Sequence, residues 1–192
     1  GVNYVMDALG YPRRTLEETR QFVGNGAARL LKLSVPEGVD PSEALERFQE
    51  YYPAHCRIKT ASYPGIPEAL NALAARYPIA IVSNKPDAAV KPLCADYFPG
   101  IFALGEKAGC PRKPNPEMVR QAMAAVGADS CIYVGDSEVD VLTARNAGVP
   151  CLSVTWGFRK QEEITGASRF CHSTRDLVPM LEEMVEELQN GK

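Results

Sequence analysis

Three short stretches carry side chains able to act on an anion. The first is Ser83-Asn84-Lys85, directly after the apolar run Ile79-Ala80-Ile81-Val82. A hydroxyl and fresh backbone N–H groups at a strand end, next to a helix start, suit a phosphate oxygen. The same residues also serve as an ordinary turn and cap. The second is Lys113, within Arg112-Lys113-Pro114-Asn115-Pro116. Prolines on both sides of Asn115 stiffen this backbone. A lysine fixed there is a localised positive charge, useful against a phosphate or a carboxylate nucleophile; read alone, it is equally an exposed lysine in a proline-rich loop. The third is Val134-Gly135-Asp136-Ser137-Glu138-Val139-Asp140. A spacing of four puts Asp136 and Asp140 on one helix face. Two carboxylates repel unless something positive lies near, and a hard cation such as Mg²⁺ or a fixed lysine supplies that. Asp136 or Ser137 also has the character of a helix N-cap.

These stretches fall in a chain that changes character near residue 61. Before it, the pattern is helical throughout. Val2, Val5, Met6 and Leu9 recur at helical spacing up to Gly10, and Thr15 with Glu18 has the form of a capping box. A glycine break at Gly24-Asn25-Gly26 precedes an apolar helix over 27–33, and Asp40-Pro41 opens another that runs to about residue 52. After residue 61, strands and helices alternate. Strands are expected at 79–82, 101–104, 131–134 and 151–154. Between them lie helices begun by Asn115-Pro116 and by Ser137 and ended by Gly127 and Gly148. Leu177, Met180, Leu181, Met184, Val185 and Leu188 mark one face of a C-terminal helix. Such alternation implies an α/β fold with a parallel sheet. The expected organisation is a small all-helical domain over 1–61 and an α/β core over 62–192. Ligands of such cores bind beyond the C-terminal ends of the strands, where all three stretches fall.

The 192 residues carry 21 Lys and Arg against 24 Asp and Glu, for a net charge of −3. Mild acidity gives no reason to expect nucleic acid or an anionic membrane as partner. No apolar run approaches the ~20 residues of a membrane helix. The six cysteines form no C-x-x-C pair. They read as small buried hydrophobes of a reducing cytoplasm, the expected location. His55 and His172 lack the company of a metal-ligand pattern.

The order Ser83-Asn84, then Lys113, then Gly135-Asp136-Ser137-x-x-Asp140, each after an apolar strand, resembles motifs two to four of the haloacid dehalogenase superfamily. Phe22-Val23-Gly24-Asn25-Gly26-Ala27, Tyr63-Pro64-Gly65, Thr143-Ala144-x-Asn146-Ala147-Gly148 and Thr155-Trp156-Gly157-Phe158 are similar to its phosphoglycolate phosphatase branch. The resemblance implies a Rossmann-like core under a helical cap, and hydrolysis of a small phosphorylated metabolite through an aspartyl-phosphate. It implies that Ser83 and Lys113 are catalytic, with Ser83, Asn84 and Lys113 binding the phosphoryl group. Asp136 and Asp140 would serve a Mg²⁺ ion, Asp140 from behind by fixing Lys113 or metal-bound water. Gly24, Asn25 and Gly26 are candidates for holding a substrate carboxylate through backbone N–H groups, although glycines also simply let helices turn. Trp156 to Arg159, after the fourth strand, could also line the entrance, with Arg159 read first as a solvated surface charge.

The family's first motif, D-x-D-G-T at the end of a central strand, does not occur; the only aspartate in the first 39 residues is Asp7, followed by Ala8 and Leu9. The chain, which opens on Gly1, is therefore expected to resemble a member lacking about one strand and loop, to have that strand in its native form, and to be inactive as it stands. A non-catalytic phosphate-binding protein, a sugar-phosphate mutase and a phosphonatase are the alternatives. A monomer or a homodimer is expected.

Overall fold

A computed structural model describes residues 1–191. The first four helices are α1 (Val2–Ala8), α2 (Leu16–Phe22), α3 (Gly26–Ser34) and α4 (Ser42–His55). They bury a core of their own made of Val2, Val5, Met6, Leu30, Leu31, Val35 and Phe48. Local signals set their ends. Thr15 Oγ1 accepts from Glu18 N while the Glu18 carboxylate accepts from Thr15 N, which is the reciprocal box expected from the sequence. Arg14 donates to the Ser34 and Val35 carbonyls, which leave the C-terminal end of α3. Helix α4 departs from expectation by running through Pro53 to His55. Proline lacks one donor, and a last turn tolerates that loss better than a helix interior.

The remainder alternates helix and strand. Helix α5 (Ile66–Ala74) leads to β1 (Ala80–Pro86), α6 (Asp87–Tyr97), β2 (Phe102–Glu106) and α7 (Glu117–Val126). Then come β3 (Tyr133–Gly135), α8 (Glu138–Ala147), β4 (Cys151–Val154), β5 (Phe170–Cys171) and α9 (Leu177–Gln189). Among the described residues these five strands pair only in parallel, and one isolated antiparallel bridge joins Lys107 and Cys110. The strands form two sheets, β1-β2 and β3-β4-β5. Helix α7 joins them through side chains, since Val82 of β1 packs with Met118 on one side and with Val119 and Tyr133 on the other. On the outer face α9 and α5 cover β4 and β5 around Ala69, Leu152, Leu177 and Met184.

Helices α5 and α6 and strand β5 escaped the sequence reading. Helix α6 holds Pro92 in its interior, which breaks its helical signature. Strand β3 starts at Tyr133, two residues later than expected. All six cysteines are free thiols, and burial raises the pKa of Cys94, Cys131, Cys151 and Cys171, that of Cys151 to about 11. Thiols of that kind pack; they do not attack. Among the described residues no helix is long and apolar enough to cross a membrane.

Candidate active site

The C-terminal ends of β1 and β3 and the loop before α7 meet the helical module at a cavity of about 440 Å³. Its walls include Ser83, Lys85, Lys113 and Asp136 from the strand side, and Gly24, Phe48 and Tyr52 from the helices. Parallel strands all end on one side of a sheet, so residues far apart in sequence converge there.

Lys113 is the best-fixed charge of the cavity. Its Nζ donates to Asp140 Oδ1 at 2.8 Å, and the two side chains are only 12% and 7% exposed. Asn84 holds the backbone behind it: its Oδ1 accepts from Lys113 N at 2.8 Å and its Nδ2 donates to Lys113 O at 3.0 Å. Asn146 Nδ2 adds a bond to Pro114 O at 2.8 Å. The lysine is thus clamped at both ends, which keeps a positive charge at one point in space.

Asp140 carries four donors. Lys113 Nζ and Tyr133 OH bind Oδ1; Ser137 Oγ at 2.6 Å and Asp136 N at 3.2 Å bind Oδ2. Burial alone would raise its pKa, but the Lys113 ammonium and the surrounding hydroxyls outweigh this and hold it below the ordinary value. With its lone pairs occupied it positions Lys113, and it does not stand open as a ligand. Tyr133 is the counterpart: burial, then the neighbouring carboxylate, pushes its hydroxyl far up, so it remains a donor.

Asp136 is placed differently. It precedes α8 rather than lying on its face, so the shared face expected from the spacing of four does not form. Its Oδ2 accepts from Phe158 N at 3.0 Å, while its Oδ1 accepts no hydrogen bond from any described residue. Neither it nor Ser137 gives α8 a side-chain cap. No group of three or more His, Cys, Asp or Glu side chains able to hold a metal occurs among the described residues. One free carboxylate oxygen still fits Mg²⁺, which commonly takes one or two carboxylates and fills the rest of its shell with water and substrate phosphate.

With that geometry in view, residues 3–148 match the family model of haloacid dehalogenase-like hydrolases. The chain belongs to this family. It is 38% identical over 174 residues to the phosphoglycolate phosphatase of Rhodobacter capsulatus, covering 82% of this chain and 76% of that one. It is 34% identical over 180 residues to the phosphoglycolate phosphatase of Vibrio parahaemolyticus, covering 85% and 78%. A crystal structure from Lactobacillus delbrueckii, provisionally assigned as a phosphoglycolate phosphatase, superposes with a TM-score of 0.85 at 32% identity, over 94% of this chain and 89% of that one. The α/β fold under a helical module is therefore the haloacid dehalogenase-like fold.

Two expectations for this hydrolase change on inspection. Among Gly24, Asn25 and Gly26, the two glycines line the cavity and Asn25 does not. The Gly24 carbonyl is turned to accept from Asn84 Nδ2 at 3.3 Å. A Cβ on Gly26 would meet Arg112 and Glu106 at 3.0 Å. Both glycines have positive φ, 123° and 82°, so their first task is to turn the chain between α2 and α3, the alternative their sequence context offered.

Arg159, expected in solvent, is 12% exposed. It donates to the Arg20 and Val23 carbonyls at 3.1 and 2.8 Å, where α2 ends, and sits 3.4 Å from the Glu138 carboxylate on α8. Carbonyls at a helix C-terminus carry partial negative charge and welcome a guanidinium. Arg159 therefore ties the helical module to the loop that carries Asp136. Replacing it by methionine is expected to cost about 2 kcal/mol and to speed amide exchange in α2 while leaving α9 protected. Unchanged exchange in α2 would show that the module docks without it.

Proposed function

We propose that the cavity receives the phosphoryl group of 2-phosphoglycolate, in a phosphomonoesterase of the haloacid dehalogenase-like family. The observation that carries this is the clamped Lys113: a cation fixed by Asp140 and Asn84, lining one cavity with the Ser83 hydroxyl, is a receptor for a dianion. The family and the named relatives support the phosphate-ester chemistry.

In this scheme Ser83 Oγ and Lys113 Nζ hold phosphoryl oxygens. Asp136, through its free Oδ1, would hold Mg²⁺. When bound, that ion neutralises phosphoryl charge so that an anionic group can approach. Asp140 keeps the Lys113 ammonium aimed. The side chain of Asn84 sets the lysine loop, so it supports the phosphate site rather than touching the phosphate. The helical module excludes water from the cavity. The 192 residues contain no Asp-x-Asp, so no residue of the chain is assigned as the attacking group. That same fact favours, as a second reading, a protein that binds the phosphate ester without hydrolysing it.

A panel of phosphate esters assayed with Mg²⁺ separates the two. The protein is expected to bind and hydrolyse 2-phosphoglycolate in preference to unrelated esters. Equal rates on all esters would remove the substrate assignment. Binding without hydrolysis by the full-length protein would establish the second reading.

A further inference from the structure

Among the described residues, the side chains of Lys85, Lys113 and Arg159 line the cavity and Arg112 lies beside Gly26 at its edge; three of these four cationic side chains have carboxylate partners. Lys113 pairs with Asp140, Arg159 with Glu138, and Arg112 with Glu106 at 3.7 Å. Lys85 is the exception: among the described residues no carboxylate lies within ion-pair reach of it. Its Nζ instead meets the hydroxyl of Tyr52 on α4, and lies 4.9 Å from the centre of that ring. Tyr52 is itself braced by Phe48, stacked at 4.7 Å, and Phe48 is buried in the helical core. An ammonium from the strand side and a hydroxyl from the helical side thus face each other in one cavity wall, both partly open.

A half-buried ammonium whose only close partner is a neutral oxygen keeps donor capacity for an anion. It sits two residues beyond Ser83 on the same strand. We propose that Lys85 and Tyr52 form the subsite for a second anionic group of the substrate, a carboxylate one or two carbons from the phosphate ester. This rests on the phosphate-ester reading above and adds its specificity. It also moves carboxylate recognition away from the Gly24-Asn25-Gly26 turn. One partner comes from each side of the cavity, so a carboxylate held by both would brace the contact that Lys85 and Tyr52 already make between the helical module and the core.

Calorimetric titration of the full-length protein, with inorganic phosphate and with 2-phosphoglycolate, tests this as a ratio of affinities. The native protein is expected to favour 2-phosphoglycolate. Lys85→Met is expected to lower that ratio by roughly tenfold to a hundredfold, the value of hydrogen bonds to a charged group. Tyr52→Phe, which keeps the ring and the stack on Phe48, is expected to lower it severalfold, and it covers the case in which Lys85→Met fails to fold. An unchanged ratio in the folded variants, or no preference in the native protein, overturns the subsite. Loss of ester hydrolysis with the ratio effects intact would overturn only the phosphatase reading.

Discussion

Replacing Lys113 by methionine is expected to destabilise the protein by about 3–5 kcal/mol, the range for removing one partner of a buried ion pair. The cost arises less from the lost attraction than from what stays behind. Asp140 is 7% exposed and would remain charged with only Ser137, Tyr133 and a backbone amide to stabilise it. The effect has a pH signature. In the native protein the Asp140 pKa lies below its ordinary 3.8. Its contribution to stability is thus complete above the unfolded value and is lost as pH falls through the folded one. In Lys113→Met, burial acts without the compensating ammonium, so the folded pKa rises and the variant gains stability on acidification from neutral pH. The gap between the two proteins should therefore narrow as pH drops toward 4. Urea unfolding at pH 7, 5 and 4 measures it. The double variant with Asp140→Leu should recover part of the loss, because no charge is then stranded. A cost under about 1 kcal/mol at pH 7, or a gap that does not depend on pH, would mean that the pair is not buried together.

Gly135→Ala should be comparably severe for a different reason. Gly135 does not need the left-handed backbone reserved for glycine, yet a Cβ there would be driven into the Asp140 side chain at its Cβ and carboxyl. Those atoms sit at the root of a side chain held by four hydrogen bonds, so they cannot swing aside. Overpacking of this kind costs about 3 kcal/mol. It should also weaken phosphate binding, since displacing Asp140 releases Lys113. Gly148→Ala is the control. Gly148 ends α8 at φ 73° with nothing within 4 Å of a Cβ, so its replacement should cost only about 1 kcal/mol of backbone strain and leave phosphate binding alone. Should the two substitutions cost the same, close approach at Gly135 would not be what shapes the site. Gly157 repeats the arrangement on the Asp136 side, where its Cβ would fall onto that carboxylate.

Much of the molecule was written locally. The Thr15–Glu18 box, the apolar run before Ser83, and the glycines after α7 and α8 act within a few residues of themselves, so sequence alone located those elements; the strand expected to stop at Val82 instead runs to Pro86, with Ser83-Asn84-Lys85 inside it where its pairing with β2 shifts register. What a side chain does once there depends on neighbours brought from elsewhere. Asp140 and Lys113 are 27 residues apart, and a spacing of four with Asp136 pointed to a shared metal face that the fold does not build. Arg159 reads as any exposed arginine until α2, some 138 residues away, delivers its terminal carbonyls. Lys85 looked like one more residue of a strand-end turn, and only the docking of α4 set Tyr52 against it. Local rules fixed the elements because their energies come from near neighbours in the chain. The partners of buried charges were decided by tertiary packing, because a charge removed from water must find compensation wherever the fold supplies it.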